Sequence, residues 1–307
     1  MSNPLASIII PTHKRPITLE RAIDSALNQT YKNIEVLVID DNNPNSVDRK
    51  KTIKLMRKYK ANSKVIYLIM GANGGACKAR NKGIDECKGK YVTFLDDDDE
   101  YFPHKIEREI QMMKKGYDMI FSNIKICDVI TNRCFIQSYK QDFTFERKSL
   151  LRKHFVDTIS GGIAFMYKRK KIIEIGKFYE IDANQEYILM LNTIISDMKI
   201  GYLNETLCRS HVDNSKPRIS NNKKVIDAKI EVVRLIKPHL KEINFLDRRK
   251  TLARLYLFIC YQSFKRKDKR FWQYGFKLIP YLDLIFIKLI KKVIRKDVYI
   301  KENVIYR

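Results

Sequence analysis

No uncharged apolar run in this chain of 307 residues approaches the eighteen or so residues that a membrane-spanning helix requires. The expectation is a protein that does not span a bilayer. The first apolar run, Ala6 to Ile10, is short and broken by Pro11, which is not the pattern of a secretory signal peptide. Six cysteines (Cys77, Cys87, Cys127, Cys134, Cys208 and Cys260) occur without a CxxC pair. That spacing supports neither a zinc ribbon nor a dense disulfide framework, so reduced thiols in a cytosolic protein are expected. Neither GxxxxGKS/T nor GxGxxG is present, which argues against a P-loop NTPase or a dinucleotide dehydrogenase. There is no internal repeat. Acidic residues are scarce beside basic ones, 35 Asp+Glu against 60 Lys+Arg, for a net charge of +25.

What is present reads as a globular protein: 45% of the residues are hydrophobic and 11% aromatic. The length allows one large α/β domain with a helical appendage, or two small domains. The charge implies a polyanionic neighbour, whether nucleic acid, an anionic membrane or a phosphorylated substrate. It is also uneven. Residues 248–307 hold seventeen Lys/Arg and four Asp/Glu, a net of +13, about half the excess in a fifth of the chain. No zinc-finger, RNP-type or helix-turn-helix spacing accompanies it, so nucleic acid is not the expected partner.

Ser7-Ile8-Ile9-Ile10 is a buried strand by its β-branched run and its stop at Pro11. Thr18 is a candidate N-cap for a helix carrying Leu19, Ala22, Ile23, Ala26 and Leu27. Ile34 to Ile39 is a second strand, ending in Asp40-Asp41-Asn42, and a charged helix runs on to about Tyr59. Val65 to Ile69 is a third strand. Gly74-Gly75 opens a helix through Ala79, Ile84 and Cys87, with Gly89 read as the residue just past its end. A fourth strand, Tyr91 to Leu95, runs into Asp96-Asp97-Asp98-Asp99-Glu100, and Pro103 opens the next helix. This alternation means a parallel, doubly wound sheet, whose ligands sit at the carboxyl ends of the strands. Three strands there end in polar clusters: Thr12 to Arg15, Asp40 to Asn42, and Asp96 to Asp99.

Five consecutive acids repel one another unless cations offset them. Delivered by a strand to one edge, they are a site for a hard divalent metal that prefers oxygen ligands; the alternative is a solvated acidic turn that caps the next helix. Beyond Tyr117 the pattern changes. Met119-Ile120-Phe121 is a strand, Ile124 to Tyr139 a hairpin around Thr131-Asn132-Arg133, and Glu146 to His154 a charged helix. Gly161-Gly162 precedes an apolar run and either lets backbone approach a sugar or forms a bulge. Gln185-Glu186 begins the helix Ile188 to Ile195, residues 211–222 are polar and loop-like, and all beyond about Lys223 is helical.

These residues resemble a family 2 glycosyltransferase of the GT-A fold, of the kind that builds bacterial capsular and cell-surface polysaccharide. The resemblance runs from Ser7 to about Asn222. It rests on Ser7-Ile8-Ile9-Ile10-Pro11-Thr12, Val38-Ile39-Asp40-Asp41-Asn42, Ala79-Arg80-Asn81-Lys82-Gly83, Phe94-Leu95-Asp96-Asp97-Asp98-Asp99, Gly161-Gly162, Gly176-Lys177-Phe178 and Gln185-Glu186-Tyr187, in order and at compatible spacing. It implies an α/β, mostly parallel, doubly wound sheet over 1–222 (a nucleotide-sugar half, 1–121, and an acceptor half, 122–222) with a basic helical region at 223–307. It also implies an inverting enzyme that moves a sugar from a nucleotide-diphospho-sugar, with a uridine nucleotide expected, to an acceptor hydroxyl on a glycan or lipid-linked oligosaccharide. Carried over, Pro11, Thr12 and Arg15 lie near base and ribose, Asp41 contacts the base with Asp40 beside it, and Arg80 faces the nucleotide or its diphosphate. Asp96 and Asp97 hold ribose or sugar hydroxyls, and Asp98 binds Mn²⁺ or Mg²⁺ within a one-residue register. Glu186 matches the general base, where Asp is common in the family; the alternative is a helix-start surface charge. His211 either completes the metal shell or is a surface histidine.

The tail lies outside the resemblance. Leu282, Ile285, Phe286, Leu289 and Val293 share one helical face, Lys288, Lys291, Lys292 and Arg295 another, and Phe271, Trp272, Tyr274 and Phe276 lie upstream. Two readings fit: an amphipathic basic element on an anionic membrane, at its cytosolic face, or a helical subdomain packed on the catalytic domain or a second subunit as a homodimer. A catalytically silent nucleotide-sugar-binding scaffold is the alternative to the enzyme.

Overall fold

A computed structural model of the protein describes residues 3–139, 143–159, 161–196, 198–213 and 224–284. Its first half alternates strand and helix: β1 (Ala6–Thr12), α1 (Pro16–Leu27), β2 (Ile34–Asp40), α2 (Val47–Met56), β3 (Val65–Ile69), α3 (Ala76–Glu86) and β4 (Tyr91–Phe94). These four strands are parallel, in the order β3-β2-β1-β4. Every residue of β1 and β2 is buried, because a central parallel strand is covered on both faces; this is why both read as mainly apolar runs, with Ser7 and Glu35 the polar exceptions before Thr12 and Asp40. The register pairs Thr12 with Asp40, so the polar ends of the two strands emerge side by side.

Two contacts draw the elements together. α3 packs closely on β1 because Gly83 has no side chain; a Cβ there would lie 2.5 Å from Ile9 Cγ2. At the opposite end of the sheet the buried carboxylate of Glu35 accepts from Ser7 Oγ at 2.6 Å, Lys88 N at 2.6 Å and Gly89 N at 3.1 Å. That network holds the start of β4 against β1. It corrects the reading of Gly89 as a helix-ending residue. α3 stops at Glu86, and Gly89 is required by close approach, since a Cβ would lie 2.3 Å from Ser7 Oγ. Thr18 is not the N-cap of α1 either. Pro16 is the first helical residue, preset for that position by its fixed φ, and Arg15 occupies the cap.

The second half adds β5 (Glu100–Tyr101), α4 (Lys105–Met113), β6 (Met119–Asp128), β7 (Cys134–Gln137), α5 (Arg147–Asp157), β8 (Phe165–Lys168), α6 (Arg169–Glu174), α7 (Gln185–Ile195) and β9 (Ile200–Val212). β8 pairs antiparallel with both β4 and β6, β9 runs parallel to β6, and short β5 pairs antiparallel with β9. The sheet is therefore parallel over β1 to β4 and mixed beyond them, an α/β arrangement with helices on its faces. β6 and β7 form the expected hairpin. Here the expectation of reduced thiols fails at one pair: Cys127 and Cys134 are cross-strand partners and form a disulfide. A seven-residue separation across a tight hairpin brings them together without any CxxC signature. The other four cysteines are free.

The C-terminal region is helical through α8 (Lys224–Ile236), α9 (Phe245–Lys265) and α10 (Arg270–Leu278). α9 packs on α5, α8 and α10, and α8 on α7, so these helices join the half that carries Glu186. Of the stripe from Leu282 to Val293 only Leu282 lies within the described residues, and it is exposed.

Candidate active site

The carboxyl ends of β1, β2 and β4 converge as their order demands. Thr12 Oγ1 donates to Asp97 Oδ2 at 2.8 Å and the His13 backbone N–H to the same oxygen at 3.2 Å. Arg15 follows on the same loop, its Nη1 3.1 Å from Asp97 Oδ1 and 2.7 Å from Asp98 Oδ2. Arg21, one turn into α1, donates to the Asp98 carbonyl. Burial pushes the Asp97 carboxyl up to about 7 although Arg15 pulls the other way, and burial raises Asp98 as well. Pro11 lies buried in β1 beneath this cluster.

Asp41 sits on the β2 side, 2% exposed. Its two carboxylate oxygens accept the backbone N–H groups of Gly74 at 2.7 Å and Gly75 at 2.8 Å. Gly75 has a φ of +86°, the left-handed conformation that aims both N–H groups at one carboxylate and opens α3. Beneath it Asp40 is fully buried, and its carboxylate accepts from Asn42 N and from the Tyr67 hydroxyl and pairs with Arg49 at 3.1 Å. Asp40 thus fixes the loop; Asn42 is fully buried beside it, its Nδ2 donating to Asp40 at 2.8 Å and its Oδ1 accepting the Lys14 N–H at 2.7 Å.

Arg80, on α3, is the hinge of the arrangement. Its guanidinium is 5% exposed and lies over the Phe178 ring at 5.3 Å. Nη1 donates to Gln185 Oε1 and Nη2 to Asp96 Oδ1, both at 2.6 Å, and Nη2 is 3.6 Å from Glu186 Oε1. One buried cation therefore ties the aspartate loop to the first turn of α7. The carboxylates of Asp96 and Glu186 hold its pKa above the usual arginine value. Gly162 presses against the same place, since a Cβ there would lie 3.0 Å from Glu186 Cγ. Behind it the His154 ring stacks on Tyr187 at 4.1 Å and hydrogen-bonds its carbonyl at 3.0 Å. Complete burial drives that imidazole down to about 3, so it is neutral.

His211 takes a third position. Its backbone N–H donates to Asp99 Oδ1 at 2.8 Å and its ring Nε2 meets Glu100 Oε1 at 3.1 Å, so the imidazole is held by Glu100 of β5. Among the described residues no three His, Cys, Asp or Glu side chains form a ready metal cage. The donor set nevertheless fits Mg²⁺ or Mn²⁺ in a nucleotide site, where one or two carboxylates share the ion with substrate phosphates. Asp98 and Asp96 are partly exposed, and Asp98 is raised both by burial and by the charge of Asp96, a repulsion that a cation relieves.

Arg21 and His154 help to hold these groups in place without having been singled out from the sequence, whereas Asn42, Gly162 and Gln185 belong to the motifs named above. Arg21 lies in an ordinary amphipathic helix and His154 in a charged one, and neither carries a local signal. A cavity of about 330 Å³ adjoins Glu186 and is closed by Lys229 and Arg254 from the C-terminal helices.

Comparison with known proteins gives relatives of three kinds. An uncharacterized glycosyltransferase of Rickettsia prowazekii is 45% identical over 128 residues, covering 38% of this chain and 38% of that protein. The match thus spans well under half of that relative. The GalNAc(5)-diNAcBac-PP-undecaprenol beta-1,3-glucosyltransferase of Campylobacter jejuni is 26% identical over 269 residues, 85% of this chain and 83% of the other. Among solved structures, S. aureus TarS (residues 1–349, in complex with UDP-GlcNAc) superposes with a TM-score of 0.64 at 20% identity, over 85% of this chain and 72% of that one, which establishes the fold. The model for glycosyl transferase family 2 matches residues 7–176, more than half of the sequence, and on that match this chain belongs to glycosyl transferase family 2.

Proposed function

We propose that the protein transfers a sugar, with inversion, from a nucleoside-diphosphate sugar to an acceptor hydroxyl in cell-surface polysaccharide synthesis, with Glu186 as general base. The observation that carries this is the Arg80 clamp, which sets the Glu186 carboxylate beside Asp96 at the mouth of the nucleotide edge. In this reading Pro11, Thr12, Arg15 and Asp41 lie near the base and ribose, Arg80 faces the nucleotide or its diphosphate, and Asp96 and Asp97 hold ribose or sugar hydroxyls. Glu186 takes the proton of the acceptor hydroxyl as its oxygen attacks the anomeric carbon; the bond from that carbon to the β-phosphate oxygen breaks, and the electron pair leaves with the nucleoside diphosphate. Asp98, with Asp96 beside it, would hold Mn²⁺ or Mg²⁺, which supplies Lewis-acid stabilisation of charge on a leaving diphosphate. His211 joins that shell only if its ring leaves Glu100. The halves 1–121 and 122–222 then serve donor and acceptor.

The UDP-GlcNAc bound by TarS supports a uridine nucleotide, and the polyprenyl-linked substrate in the C. jejuni relative's name supports a lipid-linked acceptor. A peripheral place on the cytosolic membrane face is supported by exposed Phe264, Trp272, Phe276 and Ile279 on a lysine- and arginine-rich surface. No helix of the described residues is long and apolar enough to cross a membrane.

Glu186→Gln tests the catalytic assignment. It should leave UDP binding within about threefold of wild type and lower transfer at least a hundredfold, within the usual range for a general base. Wild-type turnover in that variant would remove Glu186 from the role, and loss of UDP binding would point to a silent, structural one.

A further inference from the structure

The cavity beside Glu186 has an unusual charge balance. Its walls come from the start of α7 (Asn184, Glu186, Tyr187), from Lys229 on α8, and from Arg254 and Phe258 on α9. Its one carboxylate, Glu186, already has Arg80 at 3.6 Å. The two cations have only neutral partners among the described residues. Lys229 Nζ donates to Asn184 Oδ1 at 2.6 Å and lies 5.1 Å from the centre of the Phe258 ring. Arg254 donates to the carbonyls of Val156 at 2.7 Å and Phe155 at 2.6 Å, at the end of α5.

The start of α7 points the same way. α7 begins here with no capping side chain, so the positive end of an eleven-residue helix faces the same walls. Burial and nearby Arg254 drive the Lys229 amine down to about 8, the mark of a cation held without a counter-ion. Two cations and a helix N-terminus around 330 Å³ match the charge of a phosphate group and leave room for the sugar that carries it.

We infer that this cavity binds a phosphate of the acceptor, so that the hydroxyl delivered to Glu186 belongs to a phosphate-bearing sugar. The inference rests on the reading of Glu186 as the base. The phosphate has two possible sources, a lipid diphosphate head group or a phosphodiester within a glycan, and the cavity recognises the chemistry they share. The C-terminal helices then complete the acceptor site, whatever else their outer surface meets.

Calorimetry of the full chain in EDTA tests this, with inorganic pyrophosphate as the head-group probe and dimethyl phosphate as the diester probe. Saturable binding of at least one anion is expected for wild type, weakened at least tenfold by Lys229→Met and kept within threefold by Lys229→Arg. Methionine keeps the stem against Phe258, and melting temperatures check that both variants fold. The probe that binds more tightly identifies the source. Equal binding by wild type and Lys229→Met, or no saturable binding by wild type, overturns the inference. UDP with Mn²⁺ is titrated separately. Its failure to bind would sink the transfer reading alone, because the comparison of wild type with Lys229→Met reads the cavity and not the donor edge.

Discussion

Arg80→Met is the perturbation that asks most of the structure. It keeps an apolar stem over Phe178 and deletes the guanidinium that bonds Gln185 and Asp96 at 2.6 Å each. A hydrogen bond to a charged group contributes about 1.5–3 kcal/mol. The Gln185 bond is buried; Asp96 has a 36% exposed side chain, so its share belongs at the low end. Removing both should cost about 3–4 kcal/mol. At about 2 °C per kcal/mol for a chain of this size, the melting temperature falls by roughly 6–8 °C. Activity should fall further than stability. Asp96 and Glu186 lose the cation between them, and the first turn of α7 loses its tie to the aspartate loop, so transfer at a temperature where the variant is folded should drop at least a hundredfold. Arg80→Lys keeps the charge but reaches only one partner well, and should fall between the two in both measurements. Scanning calorimetry and a discontinuous assay for UDP release provide the numbers. An Arg80→Met protein that melts within 1–2 °C of wild type and turns over normally would refute the clamp and the placement of Glu186 that depends on it.

Asp98→Asn should abolish the Mn²⁺-dependent part of the UDP-induced thermal shift while leaving the metal-free melting temperature within about 3 °C; an unchanged metal-dependent shift would take Asp98 out of the metal site. His154 is neutral in the fold with a pKa of about 3 against an ordinary 6.5, so its contribution is complete above pH 6.5 and is lost as pH falls from there towards 3. Between pH 7 and 5 this amounts to at most about 2 kcal/mol, and His154→Gln should show that much less pH dependence in urea unfolding; identical pH dependence in the two proteins would contradict it. A Trp272→Glu, Phe276→Glu double variant, both positions 68% exposed, should keep wild-type stability and sediment at least fivefold less with vesicles containing phosphatidylglycerol. Equal sedimentation would assign the basic surface to another partner.

The parallel half of the sheet was legible because burial on both faces leaves a clear record: apart from Ser7 and Glu35, β1 and β2 are apolar until Thr12 and Asp40 at their carboxyl ends. The same logic placed the three polar clusters on one edge before any contact was known. The mixed half was less legible. Which way β8 runs depends on its partners β4 and β6, and nothing within Phe165–Lys168 encodes it. The Cys127–Cys134 bond was missed for the same reason, since pairing follows register across a hairpin and not a spacing motif. Gly89 was noticed and misread, as a glycine needed for close approach looks in sequence like one needed for a turn.

At the site the division is sharper. Residue type and strand position pointed to Asp41 and Asp96 to Asp99 as chemistry-bearing, because charged groups at the ends of apolar strands have few structural reasons to be there, whereas Arg80 and Glu186, both on helices, were implied by the family resemblance. What each touches was decided only by tertiary packing. Arg80 meets Gln185 across 105 positions of chain, and Lys229 meets Asn184 across 45. Local pattern carries information over a turn or a strand, whereas the position of a charge in a cleft follows from how distant helices stack on one sheet.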